Sequence, residues 1–460
     1  MIRERKSNGK RHERPASTNT CRMCAPLGAV LAWRGIDGTL PLVHGGQGCS
    51  TYLRRFAIGH FREPLDVACS NVSERAAIFG GGEVIAPALF NAISQYQPQL
   101  VAICTTCVVE TIGDDVPMLI RQARERLSEQ GIEPLPEIIC CSTPSYGMTH
   151  VRGWWGAVTS IVEALTESNS TSGLPAEDAP LALFAPLASP ADWRGLLATA
   201  ADCDVSITLV PDGTESLDGG PGSGIATLPR GGTPLQSIRA LGSHASWLQL
   251  GGGDRAKAYP GPALREHHQV AGSVLPLPVG VAATDAWVDA LIRQGGGHLG
   301  AITRATRGRV LDLLADCHKT VKGARLAIQG DGELGPALVR FAHEIGAVPA
   351  VLACDERLSH GERDALAELG CTVVDDADYQ AFREAVASAE CQMVVGSSRS
   401  YPTCRALSIP LIRVGFPVAD RVGSASIRHL GYDGAYDLVM RIANTLIEEQ
   451  QRLSVGYMVY

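Results

Sequence analysis

Three cysteines in the first quarter of this 460-residue chain stand in short segments of unusual composition. Cys24 precedes Ala-Pro-Leu-Gly, Cys49 ends the segment His-Gly-Gly-Gln-Gly-Cys, and Cys107 follows Cys-Thr-Thr. Thiolates are soft ligands that suit iron, and glycine next to them lets the backbone approach a cluster closely. The residue types therefore predict three thiolate ligands for an iron–sulfur cluster. Three ligands are half of a cage, and the other half has to come from elsewhere.

Two of these cysteines also belong to C-x-x-C pairs, Cys21 with Cys24 and Cys104 with Cys107. That spacing is typical of zinc sites and of redox-active pairs. The second pair straddles the predicted end of a strand, so the two pairs do not form a matched zinc site. The ligand hypothesis for the cluster therefore rests on Cys24, Cys49 and Cys107.

The elements that must hold these cysteines are predicted as alternating strands and helices. An apolar run at 100–104 is followed by a helical pattern from Asp114 to about Gln130, and the next apolar run lies at 137–140. This alternation predicts parallel sheets covered by helices, in which sites form at the carboxyl ends of the strands. Cys107 and Ser145 both follow such an end.

Changes in composition divide the chain into three α/β domains of Rossmann-like type. A polar stretch at 167–173 separates the first two domains, and a new run of strand-like segments starts after Gly323. The predicted strands of the last part lie at 325–329, 350–353, 371–374 and 392–395, and a closing helix is predicted over 436–451. The predicted organisation is an N-terminal arm at 1–20, a cluster-ligating domain at 21–170, a second domain at 179–310 and a third domain at 320–460.

A glycine motif in the third domain offers a different chemistry. The segment 330–335 reads Gly-Asp-Gly-Glu-Leu-Gly after a predicted strand, and the acidic pair Asp355-Glu356 follows about 20 residues later. This pattern is typical of dinucleotide-binding sites. A tight glycine turn that leads into a helix gives the same pattern, and we favour that interpretation.

Composition limits the partners and the location. The net charge of -8 argues against nucleic acid or an anionic membrane as the main partner. No apolar run approaches the roughly 20 residues that a spanning helix needs. The basic, polar N-terminus lacks the apolar core of a secretory signal, so we expect a cytoplasmic protein. In a reducing compartment most of its 14 cysteines are expected to be thiols.

Several segments resemble the β-type subunits of the nitrogenase component 1 family. That family includes the catalytic β subunit (NifK), the cofactor-scaffold subunit NifN and the β subunits of nitrogenase-like reductases such as methylthio-alkane reductase. The sharpest similarity lies in the first third of the chain, and a weaker similarity extends to the C-terminal part. The matching segments are residues 24–29, 44–49, 60–64, 105–107, 110–115, 143–146 and 414–417.

The resemblance implies specific roles for four residues. Cys24, Cys49 and Cys107 match the positions where β subunits ligate a bridging P-type cluster, and Ser145 matches a serine that binds the oxidised cluster. Cys21 and Cys104 are then bystanders. The implied cofactor is an iron–sulfur cluster, either a P-type cluster of eight irons or a four-iron cluster, shared with the partner subunit.

The resemblance also implies partners. An α-type (NifD- or NifE-like) subunit would complete an α2β2 heterotetramer, and a NifH-like, ATP-dependent iron protein would supply electrons one at a time. The substrate-reducing metallocluster of the family lies in the α-type subunit, so no catalytic residue is assigned to this chain.

Two functions remain open at this level. The first is the β-type subunit of a nitrogenase-like reductase, an oxidoreductase that relays electrons through the bridging cluster. The second is a NifN-type scaffold for the biosynthesis of iron–molybdenum cofactor, which is not itself an enzyme. The complete set of three cysteines and a serine favours the reductase, because many scaffold subunits keep only the cysteine of the Gln-Gly-Cys loop. The compact length favours the scaffold.

Overall fold

The structure is a computed structural model that describes residues 19, 21–167, 179–220, 228–253 and 258–453. The N-terminal arm expected at 1–20 lies, apart from residue 19, outside the described residues, and so does most of the linker at 167–173. Among the residues that the structure describes, no helix combines the length and the apolar character that a membrane crossing requires.

The chain forms α/β units in sequence, which we call the first, second and third units. The first unit contains α1 Ala25–Arg34, β1 Thr39–His44, α2 Gln47–Phe61, β2 Ala68–Cys69, α3 Glu74–Phe79, α4 Gly82–Tyr96, β3 Leu100–Thr105, α5 Cys107–Ile112, α6 Val116–Glu129, β4 Glu137–Cys141 and α7 His150–Leu165. The second contains β5 Leu181–Phe184, α8 Pro190–Asp202, β6 Ile207–Val210, α9 Leu235–Arg239, β7 Ser246–Leu250, α10 Pro260–His268, β8 Gly272–Leu275, α11 Val281–Gly295 and α12 Ala301–Val321. The third contains β9 Arg325–Gly330, α13 Leu334–Glu344, β10 Val348–Cys354, α14 His360–Glu368, β11 Thr372–Asp375, α15 Tyr379–Ser388, β12 Met393–Gly396, α16 Tyr401–Leu407, β13 Leu411–Arg413 and α17 Gly431–Leu453.

Each unit is built on one parallel sheet. The strand orders are β2-β1-β3-β4, β6-β5-β7-β8 and β11-β10-β9-β12-β13, and every strand pairing in the described residues is parallel. The central strands β1 and β3 of the first sheet are wholly buried because helices cover both faces. The predicted α/β class with three Rossmann-like parallel sheets is confirmed.

The predicted strands and helices of the first and third units are largely confirmed. The strand predicted at 100–104 is β3, and the helical pattern from Asp114 corresponds to α6. The closing helix predicted over 436–451 begins earlier, at Gly431, and extends through Leu453. It packs against α8, α11 and α12, so this helix returns to the second unit. The predicted domain boundaries at 170, 179, 310 and 320 stay a prediction.

The closest helix packing in the first unit joins α1 to α7. A Cβ atom on Gly28 would lie 1.7 Å from the carbonyl oxygen of His150, and a Cβ atom on Gly153 would lie 1.9 Å from that of Ala25. The two backbones are therefore in direct contact, which only glycine allows at these positions. Trp154 and Trp155 on α7 are fully buried beside this contact. The contact fixes the N-terminal end of α1, where Cys24 lies.

We predict that Gly28→Ala lowers the free energy of unfolding by about 3 kcal/mol or more, because the added methyl group would force α1 away from α7. Gly195→Ala on α8 is the matched control, since nothing lies within 4 Å of a Cβ atom there. The control change should stabilise the chain by roughly 0.5–1 kcal/mol, as alanine does in a helix. Thermal and urea unfolding of both variants measure the difference. Equal stability of the two variants would contradict the proposed backbone contact.

Candidate functional site

All three predicted cysteines lie at the beginning of a helix. Cys24 is the N-cap residue of α1, Cys49 is the third residue of α2, and Cys107 is the first residue of α5. The first turn of a helix has free backbone N–H groups and a positive dipole end, and both stabilise a thiolate. Two of these helices directly follow the carboxyl ends of neighbouring parallel strands, β1 and β3.

The loops after β1 and β3 are held against each other, which places Cys49 and Cys107 at the same edge of the sheet. The backbone N–H of Thr106 donates to the carbonyl oxygen of His44 at 3.1 Å. A Cβ atom on Gly45 would lie 2.3 Å from the side chain of Thr106. Glycine is therefore required where the two loops touch, and the glycine-rich segment before Cys49 has this packing reason.

The three thiols lie at the carboxyl ends of neighbouring strands of one sheet. Cys49 and Cys107 follow β1 and β3, and Cys24 is bridged to Thr149 in the segment after β4. Burial raises the pKa of the Cys49 thiol, and the thiols of Cys24, Cys107 and Cys69 raise it further. Cys24, Cys49 and Cys107 are half-buried, so they are open enough to bind a ligand.

Ser145 lies beside Cys24. The Ser145 hydroxyl oxygen accepts a hydrogen bond of 3.1 Å from the backbone N–H of Ala25, the residue after Cys24. An antiparallel bridge between Cys24 and Thr149 ties the same two segments together. The serine that the sequence singled out is thus adjacent to one of the three thiols.

Two residues of this neighbourhood were missed from the sequence. Tyr52 is one turn after Cys49 on α2. Burial raises the pKa of its phenol, and Cys24 raises it further through its charge and a hydrogen bond. Cys69 ends the strand β2, which is only two residues long. Tyr52 could have been found from its spacing of three residues from Cys49, whereas so short a strand gave no usable signal.

The thiols do not form a site for a single metal ion. Within the described residues, no group of three or more His, Cys, Asp or Glu side chains is arranged so that it could hold one ion. Cys21 is buried and donates a hydrogen bond of 3.3 Å to the carbonyl oxygen of Ala353. This hydrogen bond occupies the Cys21 thiol and argues against a zinc site that uses the Cys21–Cys24 pair. Half-buried thiols at several helix ends fit one side of a larger cluster.

Three further polar residues near these segments have structural partners. His44 pairs with the Ser70 hydroxyl at 2.8 Å, and His60 accepts a hydrogen bond of 2.8 Å from the backbone N–H of Val418. Asp115 caps α6 by accepting a hydrogen bond of 2.9 Å from the backbone N–H of Met118. These contacts give the two histidines and the aspartate structural roles.

The glycine motif of the third unit forms a closed turn. The Asp331 carboxylate accepts hydrogen bonds from the backbone N–H groups of Glu333 and Leu334, at 2.9 and 2.8 Å. A bound pyrophosphate would need such N–H groups at the start of α13, and the Asp331 charge would repel it. The structure therefore favours the glycine turn over a dinucleotide site.

A small cavity lies where the three units meet. Its volume is about 30 Å³, which is enough for one or two water molecules. Its wall includes the apolar side chain of Phe416 and the polar side chains of His60, Asp192, Glu333 and His429. Asp192 is fully satisfied there, since it accepts hydrogen bonds from the backbone N–H groups of His429 and Leu430 and from the His429 ring.

Glu333 joins all three units at this cavity. It belongs to the third unit and accepts a hydrogen bond of 2.8 Å from the indole N–H of Trp155 in the first unit. A Cβ atom on Gly251, in the second unit, would lie 2.6 Å from its carboxyl oxygen. The surrounding protein, and then the Asp331 charge, raise the pKa of Glu333 to about 8. The carboxyl is therefore mostly protonated at neutral pH.

Comparisons with known proteins agree on one family. The model of the family "Nitrogenase component 1 type Oxidoreductase" matches residues 24–447. The nitrogenase molybdenum-iron protein beta chain of Clostridium pasteurianum is 32% identical over 443 residues, which cover 94% of this chain and 94% of the relative. The corresponding beta chain of Frankia alni is 32% identical over 452 residues, covering 95% of this chain and 84% of the relative.

Solved structures give the same result. One chain of a structure described as nitrogenase Cp1 at pH 6.5 superimposes with a TM-score of 0.90 at 30% sequence identity, and the match covers 100% of this chain and 98% of that chain. A second chain, from nitrogenase Cp1 at pH 5, matches with a TM-score of 0.68 at 13% identity and shows a shared fold only.

The raised pKa of Glu333 predicts a pH-dependent stability. Unfolding returns the carboxyl to its ordinary pKa near 4.5, so its favourable contribution is complete below that pH and is lost as the pH rises toward about 8. Glu333→Gln keeps an oxygen that can accept from Trp155 but cannot ionise. We expect the free energy of unfolding of the variant, relative to that of the wild type, to increase by roughly 2–4 kcal/mol as the pH rises from 5 to 8. Thermal unfolding across this range measures it, and parallel pH profiles would contradict the prediction.

Proposed function

Since this chain belongs to the nitrogenase component 1 type oxidoreductase family as a β-type subunit, we propose that it ligates half of a bridging iron–sulfur cluster in a nitrogenase-like reductase. The ligands are Cys24, Cys49 and Cys107, and Ser145 is an accessory oxygen ligand. When bound, such a cluster accepts single electrons from an ATP-dependent iron protein and passes them to a metallocluster in the α-type partner. The single observation that supports the proposal is that three half-buried thiols lie at the starts of α1, α2 and α5.

The thiols suit an iron–sulfur cluster because their thiolate forms need a positive charge nearby. Burial and the neighbouring thiols hold the pKa of Cys49 above its ordinary value, so this sulfur keeps its proton when no cation is present. Binding to iron releases the proton, since only a thiolate ligates the metal. The helix N-termini of α1, α2 and α5 stabilise the thiolate charge from the protein side.

Ser145 and Tyr52 supply oxygen atoms beside Cys24. The Ser145 hydroxyl is held by the backbone N–H of Ala25, so its oxygen stays close to this ligand. A hydroxyl becomes a useful iron ligand only after losing its proton, which fits a role limited to the oxidised state of the cluster. Tyr52 keeps its proton, because burial and Cys24 raise its pKa, and its hydroxyl donates to the sulfur of Met23, the residue before Cys24, at 3.8 Å.

The surroundings of the thiols support a protein partner. Phe79 and Ile78 on α3 are 81% and 75% exposed, and α3 contacts α5, which starts at Cys107. Val108 and Tyr146, next to Cys107 and Ser145, are also exposed. Exposed apolar side chains grouped in this way are typical of an interface. The α-type subunit of an α2β2 tetramer would complete the ligand cage here, and the iron protein would dock over the shared cluster.

The scaffold function is the alternative outcome. Compact length does not favour it, because the chain covers 94% of the length of a molybdenum-iron protein beta chain. The presence of Cys107 and Ser145 beside Cys49 favours the reductase, since a scaffold that holds four irons needs fewer ligands from this side. We also propose a cytoplasmic location, where a reducing environment keeps the 14 free cysteines as thiols.

We predict that Cys49→Ala removes or displaces the shared cluster in the complex purified with its α-type partner. Iron per heterodimer should fall by about half or more, because the variant lacks a central thiolate ligand. Cys21→Ala is the control, because Cys21 is buried and bonded to Ala353, and its iron content should equal that of the wild type. Unchanged iron and unchanged cluster spectra in Cys49→Ala would refute the assignment.

A second variant separates the reductase from the scaffold. In a reductase, the bridging cluster contains about eight irons held by thiolates from both chains, and Cys107→Ala abolishes electron delivery. In a scaffold that uses only Cys49 from this chain, the same change has little effect. Mössbauer spectroscopy and iron analysis of the intact complex, with Cys107→Ala beside the wild type, measure the difference. A cluster of about four irons that is indifferent to Cys107 would establish the scaffold instead.

A further inference from the structure

The accessibility of the cysteines singles out one thiol that has no assigned role. Nine of the fourteen cysteines are buried and five are half-buried. Buried cysteines behave as small apolar side chains, whereas a ligand must reach its metal. The half-buried cysteines are Cys24, Cys49, Cys69, Cys107 and Cys140.

Cys140 does not belong with the other four. It precedes Cys141 on β4, so the side chains of Cys140 and Cys141 point to opposite faces of the sheet. There it packs against a hydrophobic cluster formed by residues of α4, α6 and the first sheet. Cys69 is therefore the one half-buried cysteine besides the proposed ligands that has no such apolar packing role.

Cys69 is tied directly to the loop that carries Cys49. It ends β2, the strand next to β1, and pairs with Val43 in the parallel register. Its thiol donates a hydrogen bond of 3.3 Å to the carbonyl oxygen of Gly45. Gly45 is the first glycine of the glycine-rich loop before Cys49. The sulfur is thus fixed at the same sheet edge as the thiols of Cys49 and Cys107.

The backbone after Cys69 turns an N–H group toward its sulfur. The N–H group of Asn71 points at the Cys69 sulfur with a distance of 3.4 Å. Asn71 adopts the left-handed conformation with φ of 56°, which turns the chain back toward the sulfur. Backbone N–H groups directed at sulfur are a usual feature of iron–sulfur sites, where they tune the cluster.

The four thiols lie at the carboxyl ends of the four neighbouring strands of the first sheet, whose order is β2-β1-β3-β4. Cys69 ends β2, Cys49 and Cys107 lie in the helices after β1 and β3, and Cys24 is bridged to Thr149 in the segment after β4. In a parallel sheet these strand ends lie at one edge, where sites form.

We propose that Cys69 is a fourth thiolate ligand, so that Cys24, Cys49, Cys69 and Cys107 together can hold a four-iron, four-sulfur cluster within this chain alone. Four thiolates are the complete ligand set of such a cluster. Each thiol loses its proton as its sulfur binds iron, and no ligand changes its oxidation state. The proposal rests on the proposed function, since it uses the same three cysteines. It adds that the chain can carry a cluster before thiolates of the α-type partner complete the larger cage.

The test uses the full chain without its partner, reconstituted anaerobically with ferrous and ferric iron and sulfide. The wild type should retain about four irons per chain after desalting and, when reduced, give the electron paramagnetic resonance signal of a four-iron cluster. Cys69→Ala should lower the retained iron by about two-fold or more. Cys69→Ser keeps the hydrogen bond to Gly45, so it tests ligation separately from folding, and its resonance signal should also change.

Cys104→Ala is the matched control. Cys104 lies in the same row of the first sheet, since Val43 pairs with both Cys69 and Cys104. It is fully buried, so its replacement should leave iron content and the resonance signal unchanged. Far-ultraviolet circular dichroism of each variant verifies that it is folded.

The same variants are also measured in the co-expressed complex. Loss of Cys69 should lower the fraction of heterodimers with full iron by about two-fold or more, because the chain releases its cluster before the partner's thiolates join. This second measurement decides the question if the isolated chain is insoluble.

The outcomes separate this proposal from the proposed function. If Cys69→Ala binds as much iron as the wild type while Cys49→Ala loses it, the fourth ligand is refuted and the proposed function stands. A soluble wild-type chain that retains no iron alone also refutes the fourth ligand. If neither cysteine affects iron in the complex, both proposals fail.

Discussion

The contact between α1 and α7 is the constraint on which the candidate site depends. Gly28 and Gly153 let the two helix backbones touch, and no other residue would fit at either position without a shift. The contact places the N-terminal end of α1, and with it Cys24, beside the segment that precedes α7. Ser145 belongs to that segment and hydrogen-bonds to the residue after Cys24. A helix packing rule thus fixes the distance between two groups that are 121 positions apart in the chain.

The electrostatic surroundings of the thiols at the sheet edge disfavour their charged, thiolate form. Burial and mutual repulsion raise the pKa of Cys49 and favour the protonated thiol. Helix N-termini oppose this by favouring the thiolate, yet they do not remove the repulsion between sulfur atoms. In the proposed function, the cationic core of an iron–sulfur cluster would remove this repulsion. Cys69 is half-buried like the other three cysteines, and its thiol contacts Gly45 at the same edge of the sheet. The same electrostatic argument therefore applies to Cys69.

The junction of the three units follows a different principle. Glu333 meets the first unit through Trp155 and the second unit at Gly251, and its carboxyl stays protonated because the surrounding protein disfavours the charge. A neutral carboxyl can sit in this small cavity without a cation. The C-terminal helix α17 adds to the same junction by packing on the second unit. The fold is therefore closed by contacts between units as well as by the three separate sheets.

The sequence by itself determined the α/β class, most strands and the three cysteines of the proposed cluster. These features are local, because apolar runs mark β3 and β9 and glycine next to Cys49 marks a tight loop. Only the tertiary structure placed Cys69 against Gly45 of the loop before Cys49, and Tyr52 one helical turn after Cys49. A parallel sheet brings the ends of strands that are far apart in sequence to one edge, and β2 is too short to leave a pattern of its own. The Glu333–Trp155 contact has the same origin, since a hydrogen bond across 178 positions has no local signal in either segment.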